Sequence, residues 1–248
     1  MISPTKTSPF SLRSGDSRPA ALISTQKYEW YMHNALNTTP TVLAYDTGSL
    51  GAKLDISNPA LTNKPTASTI GTKISYVSDG VDDYLYKSEN DFMRSLPTWM
   101  VTAVFKYNSS DQNWFLSCLN EANTTNSEGF FFWYNPSSKF FLVSSFNSAG
   151  TSISTPSTLQ TLTNGQNYII TYGWNGTNVV FYLETTLVGS IAVSNPLLRP
   201  STTSNIATAF IRNTSFFKPS NIGYIGVDEF DLTKLTNNVA TLKTTFGI

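Results

Sequence analysis

Ser78-Asp79-Gly80-Val81-Asp82-Asp83-Tyr84-Leu85, followed thirteen residues on by Thr98-Trp99-Met100-Val101-Thr102-Ala103-Val104-Phe105, decides the fold. Asp and Gly form a turn because Gly takes left-handed backbone angles freely and Asp bonds its own backbone. The turn delivers the chain into a short strand. Pro97 then interrupts it, since proline has no N–H for a ladder. The second stretch alternates apolar with small or polar residues, the period of a strand whose two faces differ.

Working outward, the same signals recur at 98–107, 114–119, 129–134, 140–146, 168–174, 178–184, 187–192, 207–212 and 222–230. These runs are rich in Phe, Tyr, Val and Ile and are separated by breaks such as Asn135-Pro136-Ser137-Ser138 and Asn164-Gly165. Short strands at this spacing predict a sandwich or barrel, and no internal repeat points to a propeller or solenoid. The segments 178–184 and 187–192 predict a hairpin across Thr185-Thr186. Two stretches have helical spacing: Leu22, Tyr28, Tyr31, Met32, Ala35 and Leu36 near the start, and Leu235, Val239, Leu242 and Phe246 at the end.

The order of these motifs resembles the concanavalin A-like, laminin-G/pentraxin-like family. Its markers are the Gly80–Leu85 turn, Tyr172-Gly173-Trp174-Asn175-Gly176-Thr177 leading into the Phe181-Tyr182 strand, and Gly226-Val227-Asp228-Glu229-Phe230 before a final helix. One departure is Glu184-Thr185-Thr186, where the family usually places Asn-Gly. The resemblance implies an all-β, two-sheet antiparallel jelly-roll sandwich with short N- and C-terminal helices. Residues 22–248 then form one domain, with 22–42 as leading helix and linker, and residues 1–21 stand apart from it. That first segment carries Pro4, Pro9, Gly15 and Pro19 with little apolar content. It reads as a disordered terminus or as an attachment arm anchored by Phe10, Leu12, Arg13 and Arg18, and both readings stand.

Charged residues make up 13% of the chain and balance to zero, so nothing here would neutralise a nucleic-acid backbone or an anionic membrane surface. Roughly a third of the residues are Ser, Thr or Asn, a usage that suits strand surfaces and turns. No apolar run is long enough to span a bilayer, and the start lacks the apolar core of a secretory signal. Cys118, the one cysteine, lies in an apolar strand and reads as a buried thiol. His33, the one histidine, falls on the polar side of the expected first helix.

Candidate chemistry is sparse. Glycan hydrolases on this fold align two glutamates around an aspartate on one strand. Here Glu229-Phe230-Asp231 is followed by Thr233 and Lys234, so the second glutamate is missing. No nucleophile elbow or phosphate loop exists. No cofactor is expected except calcium. Asp79, Asp82 and Asp83 are candidate calcium ligands, against the alternative that they cap their own turn. Asp228-Glu229 is read as a pair tying the last strand to the helix. The run 129–135 is aromatic on both faces, so one set must be covered by a loop, a partner or a ligand. Trp133, Tyr134 and Asn135 are therefore the candidate sugar-binding residues, with coverage by the protein or an oligomer as the stronger alternative.

Similar domains are frequent in phage structural proteins. The resemblance, the arm and the charge-poor surface lead to an expectation of a non-enzymatic virion surface protein, such as a capsid decoration, head-fibre or tail-associated protein. Its expected partners are other virion proteins through the arm, further copies of itself as trimer or dimer, and glycans. A bacterial carbohydrate-binding or adhesion module on the cell surface is the alternative, and a degenerate glucanase-like hydrolase the second.

Overall fold

The computed structural model describes residues 21–34, 36–38, 41–44, 47, 49, 56–57, 65–79, 83, 85–88, 96–109, 113–120, 129–146, 152–193, 204–208 and 220–248. Phe10, Leu12, Arg13 and Arg18 of the expected arm lie outside them, as do Asp82 and the expected strand residues 209–212. The strands are Tyr28–Tyr31 (β1), Leu36–Thr38 (β2), Thr41–Ala44 (β3), Ile56–Ser57 (β4), Thr66–Ile70 (β5), Lys73–Val77 (β6), Leu85–Ser88 (β7), Trp99–Lys106 (β8) and Asn113–Asn120 (β9). They continue as Gly129–Asn135 (β10), Phe140–Phe146 (β11), Ser152–Pro156 (β12), Asn167–Trp174 (β13), Asn178–Leu183 (β14), Thr186–Ala192 (β15), Ser204–Thr208 (β16) and Asn221–Asp228 (β17), before the helix Leu232–Phe246 (α1). One sheet runs β15-β14-β13-β8-β17-β6-β5, with β1 added along β17. The other runs β12-β11-β10-β9-β16-β7-β4-β3-β2. All the pairings are antiparallel, and the two sheets close a sandwich.

Strand β8 shows why these residues form this architecture. Trp99, Val101, Ala103 and Phe105 enter the core between the sheets, while Met100 and Val104 pack with Leu235, Val239, Leu242 and Phe246 of α1. A central strand covered on both sides must be apolar or internally satisfied on both. Thr102 meets this demand by bonding Thr171 across β13, Oγ1 to Oγ1 at 2.8 Å. Strand β17 changes face midway. Ile222 points into the inter-sheet core, Gly223 forms a bulge, and Ile225 and Val227 then take the inward positions. Gly223 cannot carry a side chain, because a Cβ would meet the Phe246 ring at 2.6 Å.

The expected C-terminal helix is present, with all four of its spaced apolar residues buried. Asp231 caps it, accepting from the backbone N–H of Thr233 at 2.7 Å and Lys234 at 3.0 Å. The expected N-terminal helix is not present. Residues 28–31 form β1, paired from Tyr28↔Val227 to Tyr31↔Tyr224, and only Met32–Asn34 make a 3-10 turn. Tyr28 and Trp30 face the inter-sheet core and Tyr31 faces α1, so a period of two replaces the approximate helical spacing. The hairpin of β14 and β15 turns at Glu184-Thr185, one residue earlier than expected. Glu184 itself takes the left-handed backbone in that turn, at φ 56. Among the described residues no helix is long and apolar enough to cross a membrane.

Three phenols record how dry this interior is. Burial first, and Glu29 second, pushes Tyr31 up to about 12 and holds Tyr224 well above the ordinary value of 10.0. Burial, then Tyr107, pushes Tyr134 up to about 12. The unfolded chain ionises these groups near 10, and the folded chain resists until higher pH. Their contribution to stability is therefore whole below pH 10 and lost as pH rises through 12. Urea midpoints are expected to fall steeply between these values. A midpoint unchanged across that window would contradict the burial of these phenols.

Candidate functional site

A cleft opens where β8, β13, β17 and β6 end together. Lys106 is in register with Asn167 on β13 and with Asn221 on β17, and Asn221 is in register with Val77 on β6. The loops beyond are fixed by their own amides. Asn113, 1% exposed, accepts from Asn108 N at 3.1 Å and donates from Nδ2 to Asn108 O at 2.9 Å. Asn164 Oδ1 accepts from Ser109 N at 2.9 Å, and Gly165 N donates to Tyr107 O at 2.9 Å. On the opposite wall Ser78 N donates to Ser220 O at 3.0 Å, and Ser220 N returns a bond to Ser78 Oγ at 3.3 Å.

The cleft is open to solvent on one side and holds about 240 Å³, lined by Val77, Lys106, Tyr107, Asn108, Asn164, Gly165, Ser220 and Asn221. Among these described lining residues Lys106 carries the one charge. Asn221 is 8% exposed; its Nδ2 donates to Ser68 Oγ at 3.2 Å, and its Oδ1 is buried without a partner. A buried, unpaired carbonyl oxygen costs the fold about 1–3 kcal/mol.

The residues singled out from the sequence lie elsewhere. Tyr134 is not available to a ligand: it is 1% exposed, its ring packs on Tyr107 and Phe141, and its hydroxyl donates to Gln160 O at 2.7 Å. Strand alternation turns Tyr134 inward with Phe132 and leaves Trp133 half-buried on the outer face, across from Leu142. Asn135 Oδ1 is engaged by the backbone N–H of Ser137 at 3.0 Å and of Ser138 at 3.3 Å, which closes the β10–β11 turn. The three therefore do not converge on one site.

Asp83 is 5% exposed and accepts from Asp79 N at 2.9 Å, the geometry of a turn cap. Among the described residues no three His, Cys, Asp or Glu side chains group closely enough to hold a metal. Asp228 is fully buried, accepts from Glu229 N at 2.8 Å and pairs with Lys234 Nζ at 2.9 Å, so it ties the last strand to α1. Glu229 faces Lys27 at 3.8 Å. His33 is exposed, and its Nδ1 accepts from Ile74 N at 3.2 Å. Cys118 falls within β9, with its side chain outside the described part. No local motif marks the cleft, whose lining comes from four separated stretches of chain. The break at Asn164-Gly165 was its one visible trace.

No family model matches the sequence, and no curated protein is significantly similar to it. Solved structures share its fold. The binding domain of botulinum neurotoxin serotype G aligns with a TM-score of 0.60 at 13% identity, covering 89% of this chain and 52% of that one. The binding domain of neurotoxin DC in complex with SialylT gives 0.57 at 10%, covering 87% and 51%. A structure of neurotoxin type C, whose cell entry is described as dependent on two ganglioside molecules, gives 0.58 at 12%, covering 88% and 51%. The chain is thus a two-sheet β-sandwich of the kind found in these binding domains. It spans about half the length of the neurotoxin chains it matches.

Proposed function

We propose that this chain is a non-enzymatic glycan-binding module whose sugar site is the cleft at the ends of β8, β13, β17 and β6. The observation that carries this reading is a fixed, carboxamide-lined cleft of about 240 Å³. That volume is below the roughly 300–1,000 Å³ typical of drug-sized ligands and suits a single sugar ring. Amide and hydroxyl groups fix ring hydroxyls without needing charge. A neurotoxin binding domain in complex with SialylT and a type C neurotoxin described with two ganglioside molecules, both of the same fold, support the reading. The non-enzymatic part rests on Asp228, Glu229 and Asp231, each of which has a structural partner. Retaining hydrolysis needs two carboxyls roughly 5 Å apart and available to substrate.

The test is calorimetric titration of the full chain with a panel of neutral and acidic monosaccharides and their oligomers. Saturable binding without release of reducing ends is expected. Absence of binding across the panel would sink the glycan reading, and sugar release abolished in Glu229→Gln would sink the non-enzymatic one.

The finer placement on a virion surface, with residues 1–21 as an arm, is supported by the composition of that segment and the charge-poor chain. Trp133, half-buried on the outer face of the second sheet, is the proposed contact between copies in a dimer or trimer. A monodisperse monomer at tens of micromolar, by light scattering of the full chain, would reject that contact.

A further inference from the structure

We propose that strand β5 is an interface between copies of this chain, formed by edge-to-edge pairing of two β5 strands about a twofold axis at Ser68. The basis is the register of the β5–β6 hairpin. Its partners run Thr66↔Val77, Ala67↔Tyr76, Ser68↔Ser75, Thr69↔Ile74 and Ile70↔Lys73, around the turn Gly71-Thr72. In an antiparallel ladder, pairs that exchange bonds alternate with pairs whose N–H and C=O point away from each other. Ile74 N donates to His33 Nδ1, away from β5, and Tyr76 is in register with Ile222 of β17. Thr69↔Ile74 and Ala67↔Tyr76 are therefore the pairs that point apart. The N–H and C=O of Ala67 and Thr69 face outward from the sheet, and among the described residues no backbone group bonds them.

The other strands that end a sheet are guarded. Strand β15 is bulged against β14 and its Val188 O is taken by Thr158 N at 2.6 Å, β12 ends in Pro156, and β2 has only three residues. Bulges, covering segments, proline and short length are the devices that keep sheet edges from pairing. Strand β5 has none of them: its five residues stay in unbroken register and include no proline and no charge. Thr66, Ala67 and Thr69 are exposed, and Ile74, across from Thr69, is 40% exposed. The occupant that fits this edge is a second β5. With Ser68 opposite Ser68, Ala67 of each copy meets Thr69 of the other, so every outward group of the two strands finds a partner. The pairing is its own mirror in the other copy, so this interface closes on itself. Lys73, the one charge of the hairpin, falls at opposite ends of the paired strands, and like charges do not meet. The contact is separate from the one proposed at Trp133, which lies on the second sheet.

The experiment uses the full chain carrying Trp133→Ala, which removes the other proposed contact, with light scattering at tens of micromolar and thermal melts as the folding control. A dimer is expected. Adding Ser68→Cys should give a covalent dimer under mild oxidation, because directly opposed residues that exchange no backbone bonds bring their Cβ atoms closest. The same chain without it, which keeps Cys118, should not cross-link. Adding Ala67→Pro removes an outward donor from each copy and no bond within the protein, so dissociation should become easier by roughly tenfold. Thr69→Lys, which also keeps every internal bond, should weaken the dimer too and carries the test if Ala67→Pro loses its cooperative melt. A monomer in the Trp133→Ala chain overturns the proposal. A dimer of unchanged strength in a folded Ala67→Pro or Thr69→Lys variant also overturns it, as does Ser68→Cys that cross-links no faster than the chain without it.

Discussion

Gly71→Ala is expected to cost about 3 kcal/mol, the size reserved for strain and lost packing rather than for ordinary surface changes. Gly71 sits in the β5–β6 turn at φ +54, where any Cβ is disfavoured. A Cβ there would also lie 1.6 Å from the carbonyl oxygen of Phe246, an atom that Thr72 N holds at 3.0 Å. The last turn of α1 would have to lift. Phe246 lies over Gly223 and edge-on to Tyr31, with ring centroids 5.8 Å apart, so lifting it opens the packing beneath the helix. For a chain of this size the melting temperature should fall by roughly 6–12 °C. Gly165→Ala is the control: φ is +79, but nothing lies within 4 Å of the added Cβ. Only the backbone penalty of about 1 kcal/mol is expected there. Equal losses for the two variants would show that the contact with Phe246 does not matter.

Glu29→Ala should be at least as damaging, at about 4 kcal/mol. The carboxylate is fully buried and accepts from Leu22 N at 2.8 Å, Ile23 N at 2.7 Å, Thr47 Oγ1 at 2.6 Å and Tyr224 Oη at 3.1 Å. It pins the segment that leads into β1, and a residue near the end of β3, onto β17. Removing it leaves buried donors without an acceptor, which costs more than the bonds contributed. Glu29→Gln keeps the shape and one good acceptor, so its loss should be the smaller of the two. A second readout separates this from general loosening. Glu29 is one of the causes that hold Tyr224 and Tyr31 up, so alkaline titration of the phenols should begin at lower pH in Glu29→Gln. An unchanged titration with an unchanged melt would contradict the role assigned to Glu29.

The strands and the helix were legible in the sequence to different degrees, for physical reasons. Helix α1 carries a clean period because one face is buried and the other exposed, and β8, though buried on both faces, is eight residues long and rich in Val and aromatic residues, which reads as a strand. Strand β1 does not: it is only four residues long and all are buried, with the Glu29 carboxylate among three aromatic residues, so no alternation of apolar and polar residues marks it. The β5–β6 hairpin was missed for the opposite reason. Thr66–Ile70 is mostly polar and exposed, with little apolar signal to read. The two-faced aromatic character of 129–135 was visible, yet it placed Tyr134 in the core and so could not mark a site. Single Asn, Ser and Lys residues around 77, 106–108, 164–165 and 220–221 converge only through sheet register, which no local motif reports.

The cleft itself is the central claim, and amide NMR of the uniformly labelled full chain under titration with each sugar of the panel tests it most directly. The shifts are expected to concentrate at 106–109, 164–166 and 220–221, including the side-chain amides of Asn164 and Asn221. A spectrum that does not move, or one that moves at the Trp133 indole and the 135–139 turn instead, would contradict it.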